Sequence, residues 1–291
     1  MRRLSSKKVI YEFSPDNEPA YEVGQGESVA VETQDCFSGM VKNSKRLFED
    51  VAMGDVNPAT GPISVEGIIA GDTLCVSIER IKCGPLGIMM CSPNVGFLSD
   101  HVRRSRTKII KIHGDKATFS PCLEIDLRPH IGVLGVSPLR GKHPTFHLGD
   151  YGGNMDTVEV TAGSKVYLPT YLDGAMVAMG DLHAAMGDGE ISGTGVEVSG
   201  EATVRFTRSE EIQVVRPVIE TRTQWIAYAA AKTLEEASKR ASLDLVGLIS
   251  SRTGMDFEEA YMLASAVADL KISQVVDPLM AARMCISKRY L

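Results

Sequence analysis

The sequence of 291 residues holds no apolar run of about 18 residues, the length a helix needs to cross a bilayer, so no helical membrane span is expected. Its basic start, "MRRLSSKK", is followed by no sustained apolar stretch; no secretory leader is expected, and the protein is read as cytoplasmic. Six cysteines (Cys36, Cys75, Cys83, Cys91, Cys122, Cys285) form no CxxC pair, which excludes a zinc ribbon and argues for reduced thiols over a disulfide framework. Large basic clusters are also missing. With a net charge of -6 and "RRSRTK" (Arg103 to Lys108) as the densest basic stretch, a nucleic-acid partner is not expected.

What remains, 44% hydrophobic and 23% charged residues, is the composition of a globular protein. From residue 9 to about 215 short apolar stretches alternate with glycine and proline. In "TLCVSIERI" the residues Leu74, Val76 and Ile78 alternate with Thr73, Cys75 and Ser77, the period of a strand with one buried face. "KIIKIHGDKATFS" reads as a hairpin turning at Gly114-Asp115, and "SKVYLPTYL" and "ATVRFTR" as further strands. The tail changes character. Thr233 with Glu236 forms a capping box that opens an amphipathic helix stopped by Gly254. Asp256 with Glu259 opens a second, with Phe257, Ala260, Tyr261, Ala264 and Val267 on its expected buried face. The expected fold is α+β and predominantly β: a sandwich- or barrel-like body over 1–215 carrying the chemistry, and a helix-containing C-terminal part over 216–291 packed on it.

Between His143 and Val204 there are nine acidic side chains and one basic one, Lys165. Carboxylates brought together repel one another and must protonate, face water or share a cation. Most such residues in any protein are simply solvated. The segment "GDLHAAMGDGE" (180–190) stands out because its glycines reduce bulk around Asp181, His183, Asp188 and Glu190, and because Asp181 and His183 share a side in extended backbone. Imidazole with carboxylate suits zinc or another first-row divalent metal, whereas an all-oxygen set suits calcium. A second segment, "HLGDYGGNMD" (147–156), turns at Gly152-Gly153 ahead of Asn154 and Asp156.

These residues are familiar as a set. "YGGNMDT" (151–157) followed by the segment 166–200 closely resembles the acetamidase/formamidase family, as do "VETQDCFSG", "NPATGPISVEGIIAGD", "HIGVLGVSP" and "QVVDP", in the family's order and along nearly the whole chain. The resemblance implies a hydrolase cutting the C–N bond of short linear amides such as formamide and acetamide, on a β-sandwich or barrel with a mixed C-terminal portion. Many relatives carry histidine before GGN; Tyr151 stands there in this sequence.

With that chemistry in view, Asp156, Asp181 and His183, with Asp35 next, are the expected ligands of a divalent metal, zinc before calcium. Glu190 or Asp188 is the expected proton carrier, and Asn154 with Gly153 the substrate-binding pair. Asp35 in "TQDCFSG" has turn closure as its plain alternative, and His130 and His147 are ligands, supports of ligands or structural histidines. Two other readings stand beside this one: a non-catalytic β-sandwich stabilised by calcium, and an amidase using Cys36 or Cys122 as nucleophile. Exposed strand edges suggest a homodimer.

Overall fold

The strand Thr73–Cys91 shows how the molecule is layered. Leu74, Val76 and Ile78 are buried as the alternation predicts, but Thr73 and Cys75 on the opposite face are buried too. The difference has a simple cause: Cys75 belongs to a second apolar cluster, with Tyr167, Trp225, Leu245 and Ile249, that the C-terminal part lays over that face. A computed structural model describes residues 1–291.

Nineteen strands belong to one curled, hydrogen-bonded sheet. Glu197–Arg208 runs antiparallel to Thr73–Cys91 on one side and Ser28–Thr33 on the other. The hairpin at Gly114-Asp115 is present between Arg106–His113 and Lys116–Ser120. Val177–His183, buried along its whole length, pairs with His130–Gly135, Ala59–Val65 and the first residues of Glu197–Arg208. The sheet does not stop near residue 215: Lys165–Pro169 pairs with Val218–Glu220, which pairs with Gln224–Ala231 and so reaches Met280–Ser287.

Two α-helices cover this C-terminal end. The first, Leu234–Thr253, starts where Thr233 Oγ1 accepts the Glu236 amide at 3.2 Å and ends on Gly254 in the left-handed region. It buries Ala237, Ala241, Leu245, Val246 and Ile249 against Gln224–Ala231 and Met280–Ser287. The second, Phe257–Val267, is capped by Asp256 but buries only Ala260 and Ala264. Phe257 and Tyr261 stack on each other on the outside, 51% and 58% exposed, opposite to the expected orientation. The small alanine pair allows the close approach to the first helix that the aromatic rings would prevent.

Candidate active site

His183 ends the buried strand Val177–His183 and lies directly across from His130 on one neighbour and Glu197 on the other. His130 Nδ1–H donates to the Arg128 carbonyl at 2.9 Å, which leaves its Nε2 as an acceptor. His183 Nδ1–H fills that acceptor at 3.0 Å. The second nitrogen of His183 is thereby aimed at carboxylates: Nε2 lies 3.0 Å from Glu197, 3.6 Å from Asp181 and 3.8 Å from Glu190, while Asp156 is 4.0 Å from Nδ1.

Backbone strain concentrates here. Asn57, Asp156, Asp181 and Glu190 all hold φ between +40° and +52°, a region non-glycine residues rarely adopt. Gly132 opposite them is a matter of space: a Cβ there would come within 2.7 Å of both Asp156 Oδ1 and Asp181 Oδ2. The glycine in "HIGVLG" is what lets two buried carboxylates share one face of the sheet.

Charge balance follows from that packing. Burial pushes the carboxyls of Asp156 and Glu190 well above their ordinary values, and neighbouring carboxylates reinforce it. Glu197 is raised to about 7 by burial, against the pull of His183, and Asp277 to about 8 by burial. Burial alone would lower His183, but Glu197 and Asp181 outweigh it and hold the imidazole well above 6.5. Burial and the His183 charge depress His130 to about 3. Burial would raise Asp181 as well, yet His183 outweighs it and lowers that carboxyl. One imidazole cannot satisfy the set: both oxygens of Asp156, Oδ1 of Asp181 and Oε2 of Glu197 are buried without a hydrogen-bond partner. Donor atoms of Asp156, His183 and Glu190 lie within 4.8 Å of one another, as do those of Cys36, Asp181 and Glu197, so two candidate metal-binding groups are present.

A cavity of about 350 Å³ opens beside this cluster. Asn57 Nδ2 donates to Asp181 Oδ2 at 2.9 Å and to Asn154 Oδ1 at 3.1 Å, and Asn154 Nδ2 donates to Asp277 Oδ2 at 2.9 Å. The chain therefore presents a buried, acceptor-rich floor built from five separate segments.

A sequence model of the Acetamidase/Formamidase family matches residues 3–142 and 144–287. The chain belongs to this family. Among solved members, an acetamidase from Bacillus halodurans is 38% identical, covers 99% of this chain with 98% of its own, and superimposes with a TM-score of 0.97. A predicted acetamidase/formamidase from Thermoanaerobacter tengcongensis is 36% identical, with coverage of 99% and 96% and a TM-score of 0.96. A formamidase of Methylophilus methylotrophus is 26% identical over 252 residues, 66% of this chain; the match spans 62% of that family member's length.

Of the residues expected from sequence, this family fold brings Asp156, Asp181, His183, Glu190 and Asn154 together. Three others are elsewhere. Asp188 is drawn away by Arg283, which donates to both its oxygens at 2.8 Å. Asp35 closes its own loop, accepting from the amides of Phe37 at 3.0 Å and Gly39 at 3.2 Å. Gly153 serves close packing, since a Cβ would meet the His147 carbonyl at 2.3 Å; it does not line the cavity. Sequence reasoning missed Glu197, Asn57 and Asp277, although all three lie in stretches that carried the family resemblance. Tyr151 packs between Phe13 and His143 in the core.

Proposed function

We propose that this protein hydrolyses the C–N bond of primary amides, giving ammonia and a carboxylate. The observation that carries the reading is the ring of partnerless carboxylate oxygens around His183 at the foot of a cavity, in a chain of the acetamidase/formamidase family. That donor set fits a divalent cation, held by Asp156 and His183, whose donor atoms gather with that of Glu190, and by Asp181, 3.6 Å from His183 Nε2, with Glu197 beside them. The imidazole nitrogen favours zinc over calcium. When bound, such a cation supplies Lewis-acid polarisation of the carbonyl and acidification of water.

The protein's own groups supply the rest. Glu190, whose carboxyl burial pushes well above its ordinary value, is the acid for the departing nitrogen, and Glu197 is the acceptor of a proton from water. Asp277 and Asn154 orient the amide group. Cys36 is disfavoured as nucleophile, because burial and the charges of Glu197 and Asp181 push its thiol well above its ordinary value, and Cys122 because it does not line the cavity. An all-oxygen calcium site is disfavoured by His183 at the centre of the cluster. Exposed Phe257, Tyr261, Met262 and Leu270 support a homodimer. No helix is long and apolar enough to cross a membrane. Ammonia release from a panel of primary amides tests the function: turnover that falls at least a hundredfold in Glu190→Gln supports it, and no release from any amide rejects it.

A further inference from the structure

The cavity has a lining of two kinds. Asn57, Asn154, Asp181 and Asp277 are polar; an apolar wall is made by Phe37, Phe48, Val56 and Phe146, which pack in one cluster, with Val95 and Val276 added to it. Phe37 and Val56 are buried, whereas Phe48, Val95, Phe146 and Val276 are half-buried and present apolar surface to the opening. Acetamide has four heavy atoms and a liquid volume of about 120 Å³, at roughly the volume of a water molecule per heavy atom. It would fill only about a third of the 350 Å³ and leave most of that wall uncovered. A cavity in the size range of larger ligands, lined by an apolar cluster together with a few convergent polar groups, is built to bury an apolar group while fixing one polar end.

Accepting the amide-hydrolase reading above, we infer that this site selects primary amides whose acyl group is bulky and apolar, aromatic or branched, over formamide and acetamide. The acyl side is indicated by the floor. Its acceptors, the Asp277 carboxylate and the Asn154 side-chain carbonyl, match the two N–H donors of an unsubstituted amide, and a substituent on nitrogen would remove one donor and press an apolar group among polar side chains. The reaction is otherwise unchanged: water adds to the carbonyl carbon, the C–N bond breaks, the nitrogen leaves with the proton as ammonia, and the acid remains. Each methylene-sized group buried against the wall is worth about fourfold in transition-state binding.

The test is kcat/KM by ammonia release for acetamide, isobutyramide, benzamide and phenylacetamide, with N-methylbenzamide followed by methylamine release. Expected is a rise of at least a hundredfold from acetamide to benzamide or phenylacetamide, little turnover of N-methylbenzamide, and a benzamide-to-acetamide ratio that drops at least tenfold in Phe146→Ala, mainly through KM. Equal or better turnover of acetamide overturns the inference and leaves amide hydrolysis standing. If no amide is turned over, the hydrolase reading fails, and thermal shift decides the pocket separately: stabilisation by benzamide and not by acetamide supports a bulky apolar ligand, and no shift with either rejects it.

Discussion

Arg283 grips Asp188 through two contacts of 2.8 Å, and this pair ties down the loop that ends in Glu190. Arg283 is itself buried on the strand Met280–Ser287 and also donates to Glu159 at 3.1 Å. The same loop is stitched to the C-terminal segment by Gly189, whose amide donates to the Ser273 carbonyl at 2.7 Å and whose carbonyl accepts from Val275 at 3.2 Å. Glu190 and Asp277 are therefore positioned by one shared brace.

Asp188→Asn and Glu190→Gln should separate a brace from a proton carrier. Asp188 is 43% exposed at its side chain, so its loss is expected to cost under about 1 kcal/mol of stability and to leave kcat within about tenfold. Glu190→Gln should lower kcat by 10²-fold or more. The reverse ranking in steady-state assays would return Asp188 to the chemistry. Arg283→Met, which leaves Glu159 without its buried cation, should cost about 3–5 kcal/mol in chemical denaturation.

His130 fixes the tautomer of His183 and touches no other carboxylate at hydrogen-bond distance. His130→Phe retains the ring volume but cannot accept the Nδ1–H. Metal affinity, measured by titration of metal-free protein, should weaken by about 10–100-fold. An unchanged affinity would show that His183 needs no such orientation.

The raised carboxyls set a pH dependence. The metal-free folded state holds protons on these carboxyls that the unfolded chain has already released, so their stabilisation is lost as pH rises through about 7 for Glu197 and about 8 for Asp277, while His130, depressed to about 3, opposes them below 6.5. The raised His183 acts in the same direction as the carboxyls. Tm of chelated protein should fall by on the order of 5 °C from pH 5 to pH 8, less so in Glu197→Gln, and a divalent cation should reverse the loss. A Tm that rises over this range would show that the carboxylates are not crowded as described.

Cys36 contributes a sulfur close to Asp181 and Glu197 without the charge of a nucleophile. Cys36→Ser should keep ammonia release within about tenfold, whereas loss of a covalent nucleophile removes several orders of magnitude.

Local signals in the sequence carried far. Thr233 with Glu236 and Asp256 with Glu259 each act within three residues, so the helix starts could be read directly. Asp181 and His183, two residues apart on one strand, were equally legible. Asn57 and Asp181 meet across 124 residues and Asn154 and Asp277 across 123, side-chain contacts made by the tertiary fold that no spacing rule encodes. The sequence neighbourhood of Asp188 is that of Glu190, but its ion-pair partner, Arg283, lies 95 residues away and could not be read locally. The face of the second helix misled because Ala260 and Ala264, not the larger Phe257 and Tyr261, make the buried stripe.

The central claim is that the carboxylates around His183 hold a divalent metal that amide hydrolysis requires. The most direct measurement is metal content and ammonia release on the same sample, before chelation, after it, and after adding back zinc or calcium. Expected is at least one equivalent of divalent metal, activity that disappears with the metal and returns with zinc, and no recovery in His183→Ala. Full ammonia release from chelated protein free of metal would contradict it.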